Sequence, residues 1–246
     1  MNNLSIKYRI MLVAVVAMLG MIATSVMLLL DKNEIATEMA HLNELGILAP
    51  VVSGVVHEMQ KERGMSAAYI GSSGKTFANE LPQQRSLTDS KRTALTEALG
   101  KLDTASFGGT LTAKISAANT ALGQFDTARQ GVSGLTSSVG QMAGYYTGTI
   151  AKLLSVVEEM ANLSSDANVT RAIAAYTNFL QGKERAGIER AMGANGFGKG
   201  EFASAVYIKF TKLIGQQEIL FSNFKQYGTA PQADFFKTTI TGPSVV

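Results

Sequence analysis

The chain has 246 residues, no cysteine, only two histidines and a formal net charge of +3. The lack of cysteine excludes disulfide frameworks and cysteine-based metal sites, and His41 and His57 lack the spacing of a helical metal-binding pair, so no metal and no other cofactor is expected. Because lysine and arginine are spread along the chain rather than clustered, no nucleic-acid partner is expected either.

The first predicted element is an apolar helix. Residues 10–30 carry no charge, and at 1.5 Å per residue they span about 30 Å, the thickness of a bilayer core. The preceding Lys7 and Arg9 place residues 1–9 in the cytoplasm and 31–246 outside. The alternative is a cleaved signal peptide, but its apolar region would be only about 7–15 residues long. We therefore predict a transmembrane helix at 10–30, an inner-membrane location and a periplasmic domain.

Beyond residue 30, apolar residues recur at helical spacing almost to the end of the chain. This pattern predicts helices over roughly 52–70, 82–99, 111–132, 141–160, 167–192 and 202–227, with a short last segment from Pro231. Pro50 allows a break in the first helix, and the glycines at 193–200 predict a loop. No strand-like alternation persists. We therefore predict an all-α domain over 31–246, built as two stacked or interlocked four-helix layers.

The tripeptide Lys-Glu-Arg occurs twice, ending at Arg63 and at Arg185. Arg63 falls on the apolar stripe of its helix, where a charge needs an acceptor because a lone buried charge costs several kcal/mol. Two alternatives remain open on the residues alone. Arg63 could form a structural salt bridge with a glutamate, or Arg63 and Arg185 could face one gap and hold a planar oxyanion between their guanidinium groups.

The glutamates of the two tripeptides, Glu62 and Glu184, suggest a pair of carboxylates for acid–base catalysis. We expect them instead to be solvated or packed against the neighbouring lysines. Nothing near them in the sequence resembles a nucleophile with its base. The sequence therefore predicts no catalytic residues and no enzymatic activity.

The run HEMQKERGMSAAYIGSSGKTFANELPQQRSLTD at 57–89 resembles the N-terminal signature of nitrate- and nitrite-sensing (NIT) domains. The resemblance continues through YYT at 145–147 and GKERAGIERA at 182–191, and it covers about 45–235. This family is a helical sensor module of bacterial chemoreceptors, other membrane-bound signalling proteins and a soluble nitrate-responsive antiterminator. The resemblance implies a ligand bound between arginines, and the matching positions are Arg63 and Arg185.

These observations predict the sensor region of a bacterial transmembrane receptor, a chemoreceptor, that binds nitrate or nitrite between Arg63 and Arg185 and transmits the signal across the membrane. A homodimer is expected, with residues 10–30 in the membrane. The alternative is a helical dimerisation or interaction module without a small-molecule ligand. Because the sequence stops without a second apolar helix, we expect a fragment cut before a return helix, with an output domain beyond residue 246.

Overall fold

The computed structural model describes residues 5–164 and 166–241. All regular structure in these residues is helical, which confirms the all-α prediction. Two short 3-10 turns, Thr104–Phe107 and Ala161–Leu163, separate some of the α-helices. The α-helices are α1 (Ile6–Gly71), α2 (Glu80–Lys101), α3 (Gly109–Leu122), α4 (Phe125–Ser133), α5 (Val139–Met160), α6 (Ala167–Lys199), α7 (Ser204–Tyr227) and α8 (Ala230–Thr239).

The chain divides into two compact units, Met1–Glu44 and Leu45–Val246. In the first unit the described residues from Ile6 onward all belong to α1, and the apolar side chains of residues 10–30 are exposed. Among the described residues, α1 is the one helix that is long and apolar enough to cross a membrane, judged by length and composition. A signal sequence meets the same two criteria.

In the second unit, helix α1 continues through Pro50, where the sequence allowed a break. The residues around this proline are well packed, since Leu48 and Val52 are both buried in the core. Proline removes one helical hydrogen bond, whereas the burial of these apolar neighbours is stabilising.

Helix α6 also extends further than predicted, because it continues through the glycines expected to form a loop and ends at Lys199. These glycines allow close packing rather than a turn. A Cβ atom on Gly193 would lie 3.1 Å from the ring of Phe210, and one on Gly196 would overlap the ring of Phe202. The helix stops only at Gly200, which has the left-handed φ of 72° common at helix C-termini.

The core of the second unit is formed by apolar side chains of α1 to α6. Its aromatic centre is Tyr146 of α5, which is fully buried and lies 5.3 Å from Phe125 and 5.7 Å from Tyr145, measured between ring centroids. Tyr146 therefore belongs to the core. Its burial also fixes the face of α5 that is turned towards α1.

Helices α6 and α7 approach closely at Gly182, where a Cβ atom would lie 2.6 Å from the nearest ring carbon of Phe221. We expect Gly182→Ala to lower the free energy of unfolding by about 1–3 kcal/mol, because the ring must shift in a packed interface. Gly215→Ala in α7 is the matched control, since its Cβ meets no atom within 4 Å. It should be neutral or stabilising by up to about 1 kcal/mol. Urea unfolding followed by circular dichroism measures both, and equal stabilities would contradict the close packing.

Candidate functional site

Arg63 is a buried cation at the junction of three helices. It lies on α1 and is 5% exposed, which confirms its predicted position on the apolar face. Its Nη1 donates to Thr147 Oγ1 of α5 at 2.8 Å. The same nitrogen and Nη2 donate to the two carboxylate oxygens of Glu184 on α6, at 2.5 and 3.2 Å. The structure therefore gives Arg63 a two-pronged ion pair with a glutamate 121 residues away.

Glu184 is buried with its partner, contrary to the expectation that it is solvated or packed against a lysine. It is 2% exposed, and its Oε2 also accepts a hydrogen bond of 2.8 Å from Gln60 Nε2 on α1. Gly187, one turn further along α6, leaves room for the arginine, since a Cβ there would lie 3.2 Å from Arg63 Nη2. The carboxylate is accommodated in the core because a guanidinium from another helix neutralises it.

The two Lys-Glu-Arg copies lie beside one another, because α1 and α6 meet at this level. Besides the Arg63–Glu184 pair, Lys183 Nζ lies 2.9 Å from His57 Nδ1. Burial lowers the pKa of His57, and the positive charge of Lys183 lowers it further. The His57 residue as a whole remains exposed, so its imidazole is only partly shielded from solvent.

Arg185, the second predicted site residue, lies on a different side of α6. Successive helical residues are rotated by about 100°, so Arg185 does not share the direction of Glu184. One turn before it, Gly182 packs against Phe221 of α7, and one turn after it, Glu189 accepts a hydrogen bond from Gln217 of α7. Arg185 is partly buried and makes no hydrogen bond or ion pair with the residues that the structure describes. The predicted arrangement of two arginines facing one gap is thus not the arrangement of these helices.

A second buried ion pair was missed by the sequence analysis. Glu62, expected to be solvated or packed against its neighbouring lysine, is fully buried. It accepts hydrogen bonds of 2.8 and 2.9 Å from Nε and Nη2 of Arg129 on α4. Arg129 Nη1 also donates to Asp89 Oδ1 of α2 at 2.8 Å, and Tyr146 donates to Glu62 Oε1 at 2.7 Å. Burial and the charge of Glu62 raise the pKa of Tyr146, so its hydroxyl stays a donor.

This network joins α1, α2, α4 and α5, and it already uses the Nε, Nη1 and Nη2 donors of Arg129. The Arg129 guanidinium also stacks on the ring of Phe125, 4.4 Å from its centroid. Asp89 belongs to the quoted run at 57–89, but Arg129 lies outside it, and nothing local in the sequence connects them. We assign the network to the core rather than to a ligand.

Three comparisons with known proteins bear on the site. Residues 54–246 match the family model described as nitrate and nitrite sensing. The nitrate regulatory protein of Klebsiella oxytoca is 30% identical over 199 residues, which are 81% of this chain and 50% of that protein. The structure of the NasR transcription antiterminator matches with a TM-score of 0.81 and 28% identity, over 85% of this chain and 57% of that one. The chain thus spans about half the length of these relatives.

The match over residues 54–246 confirms the resemblance to nitrate- and nitrite-sensing domains. The same findings show that the prediction of a transmembrane chemoreceptor is wrong, because the matched relatives are a nitrate regulatory protein and a transcription antiterminator. The chemoreceptor prediction rested on two observations, the apolar run at 10–30 and the occurrence of the family in chemoreceptors. Neither observation specifies which process the protein regulates.

Two further predictions fail for the same reason. An inner-membrane location with a periplasmic domain, held by residues 10–30, disagrees with relatives whose named roles are regulation and transcription antitermination. The expectation of no nucleic-acid partner is likewise contradicted, since an antiterminator acts on transcription. That expectation rested on the even spread of basic residues. Such a spread indicates that the chain lacks a basic patch for direct contact with nucleic acid, but it does not indicate what a regulator controls.

Proposed function

Because the chain belongs to the nitrate and nitrite sensing family, we propose that it is the sensor region of a nitrate-responsive regulatory protein. In this proposal the chain is not an enzyme, and nitrate or nitrite binds at Arg63 with help from Arg185. The helices form the two predicted four-helix layers, with α1, α5 and α6 in the layer that carries the ligand.

One observation carries the proposal, namely the geometry of the buried Arg63 guanidinium. Its Nη1 and Nη2 donate in parallel to two oxygens of one planar, singly charged group, the carboxylate of Glu184. Nitrate is also planar and singly charged, and it presents two oxygens at a similar spacing. A guanidinium held in this way by Thr147 and a planar anion suits an oxyanion ligand better than an ammonium group would.

The charge balance around the two Lys-Glu-Arg copies also favours an anion. Arg63 and Glu184 neutralise one another, whereas Arg185 has no ion-pair partner among the described residues. One cation on α6 is therefore available to balance the charge of a bound anion. Arg185 lies about 100° around α6 from Glu184, so the proposal requires a rotation of α6 that brings Arg185 towards Arg63.

Isothermal titration calorimetry of the full chain with sodium nitrate tests the proposal. We expect a saturable binding isotherm with nitrate and none with sodium chloride at the same ionic strength, because chloride cannot accept two parallel hydrogen bonds from one guanidinium. An isotherm with nitrate that matches the chloride control would contradict the proposed function.

We expect Arg185→Ala to weaken nitrate binding by about 10-fold to 100-fold, the usual value of a hydrogen bond to a charged group. The stability of the protein should change by less than about 0.5 kcal/mol, since no described residue loses an ion pair. Arg190→Ala is the matched control on the same helix, because Arg190 is exposed. If both variants bind nitrate as the parent does, Arg185 is not a ligand.

A further inference from the structure

We infer that Glu184 is a built-in competitor of the ligand, an internal carboxylate that holds Arg63 and must leave it when the oxyanion binds. This inference rests on the proposed function. In this inference Glu184 lowers the affinity for the anion without contacting the bound anion. Binding of the anion also breaks a contact between α1 and α6.

Glu184 occupies the end of the Arg63 guanidinium that is formed by Nη1 and Nη2. Glu184 accepts from Nη1 and from Nη2, and Thr147 also accepts from Nη1. An oxyanion that bound in the same two-pronged way would need the donors that Glu184 uses. An oxyanion bound next to these donors would still repel the carboxylate of Glu184. Solvent screens that repulsion weakly, because Glu184 is only 2% exposed. Binding across Nη1 and Nη2 of Arg63 therefore requires the carboxylate to be displaced.

The surroundings of Glu184 can receive the displaced carboxylate. Gln60 Nε2 already donates to Glu184 Oε2 from α1 and can keep that bond while Arg63 is released. Lys183 supplies the positive charge. Burial lowers the pKa of Lys183 and the charge of Glu184 opposes that effect, so the two groups already interact. The carboxylate can thus leave Arg63 without losing every partner.

The exchange also changes how two helices are joined. The Arg63–Glu184 ion pair links α1 directly to α6, and it breaks when the oxyanion takes its place. Helix α6 stays packed against α7 at Gly182, but it loses one restraint on its rotation, and rotation moves Arg185 relative to Arg63. A ligand shifts a population only by contacts that differ between two arrangements, and this exchange provides such a difference.

The opposing interpretation is that Glu184 positions Arg63 for the ligand and stays in place. Glu184→Gln distinguishes the competitor interpretation from the positioning interpretation. It keeps the size of the side chain and its contact with Gln60 but removes the competing charge. Calorimetry of the full chain with sodium nitrate should give a dissociation constant at least about 10-fold lower than that of the parent. The Tm increase at saturating nitrate should also be larger, because nitrate now neutralises an unpaired Arg63.

The matched control is Glu58→Gln. Glu58 is also a buried glutamate near the site and pairs with Lys61, but it does not contact Arg63. Glu58→Gln removes one negative charge, as Glu184→Gln does, and should alter the dissociation constant for nitrate by less than about 3-fold. If Glu184→Gln does not fold, Glu184→Asp withdraws the carboxylate by one methylene and should also tighten nitrate binding.

The outcomes are distinct. A parent protein that binds nitrate, together with a Glu184→Gln variant that binds it equally or more weakly, overturns the inference and leaves the proposed function standing. Equal tightening by Glu58→Gln would also overturn it, since the effect would then be one of general charge. A parent protein that gives no nitrate isotherm overturns both.

Discussion

Arg63→Ala is expected to abolish nitrate binding and to lower the free energy of unfolding by about 3–5 kcal/mol. Binding is lost because the substitution removes both guanidinium donors. Stability is lost because Glu184, 2% exposed, keeps the hydrogen bond from Gln60 and the charge of Lys183 but loses its hydrogen-bonded cation, and a buried charge that loses such a partner costs about this much. Calorimetry with sodium nitrate and urea unfolding of the full chain measure the two effects.

The double variant Arg63→Ala with Glu184→Gln separates them. It removes both charges, so most of the lost stability should return, while nitrate binding stays absent. Arg63→Lys should bind nitrate weakly, since an ammonium is a point charge without the planar fork. Nitrate binding by Arg63→Ala at the parent's affinity would place the site elsewhere, and a double variant no more stable than the single one would show that the Glu184 charge is not the cause.

Arg129→Ala is expected to lower the free energy of unfolding by about 3–5 kcal/mol as well. Glu62 is fully buried and would keep the hydroxyl of Tyr146 as a hydrogen-bond donor and Arg85 Nε as a more distant ion-pair partner, 3.8 Å from its Oε1. Its charge would then be poorly neutralised, which is costly in a buried site. Loss of the guanidinium also removes packing against Phe125. Urea unfolding of the full chain is the measurement.

Arg171→Ala is the control for this substitution. Arg171 is exposed on α6, and its loss should change stability by less than about 0.5 kcal/mol. Arg129→Ala with Glu62→Gln should recover part of the loss. In folded protein, nitrate should still bind to Arg129→Ala, because Arg129 shares no hydrogen-bond partner with Arg63. If Arg129→Ala is no less stable than Arg171→Ala, the buried network contributes nothing to the fold.

Much of the helical architecture could be predicted because apolar periodicity is a local property. The predicted helix over 141–160 matches α5 (Val139–Met160) closely, and the predicted 82–99 matches α2 (Glu80–Lys101). The end of α6 could not be predicted, because glycine both terminates helices and allows close packing. Only the rings of Phe202 and Phe210 against α6 show which role these glycines have.

By itself, the sequence determined that Arg63 lies on a buried face and needs an acceptor, since the position of a residue on its own helix follows from 3.6 residues per turn. Only the tertiary structure decided that the acceptor is Glu184 and that Arg185 lies on the side of α6 next to α7. The physical reason is that partners in a helical bundle are set by the rotation and axial offset of one helix against another. Local periodicity carries neither quantity. It therefore could not show that Glu184 pairs with Arg63 of α1, or that Glu62 pairs with Arg129 of α4.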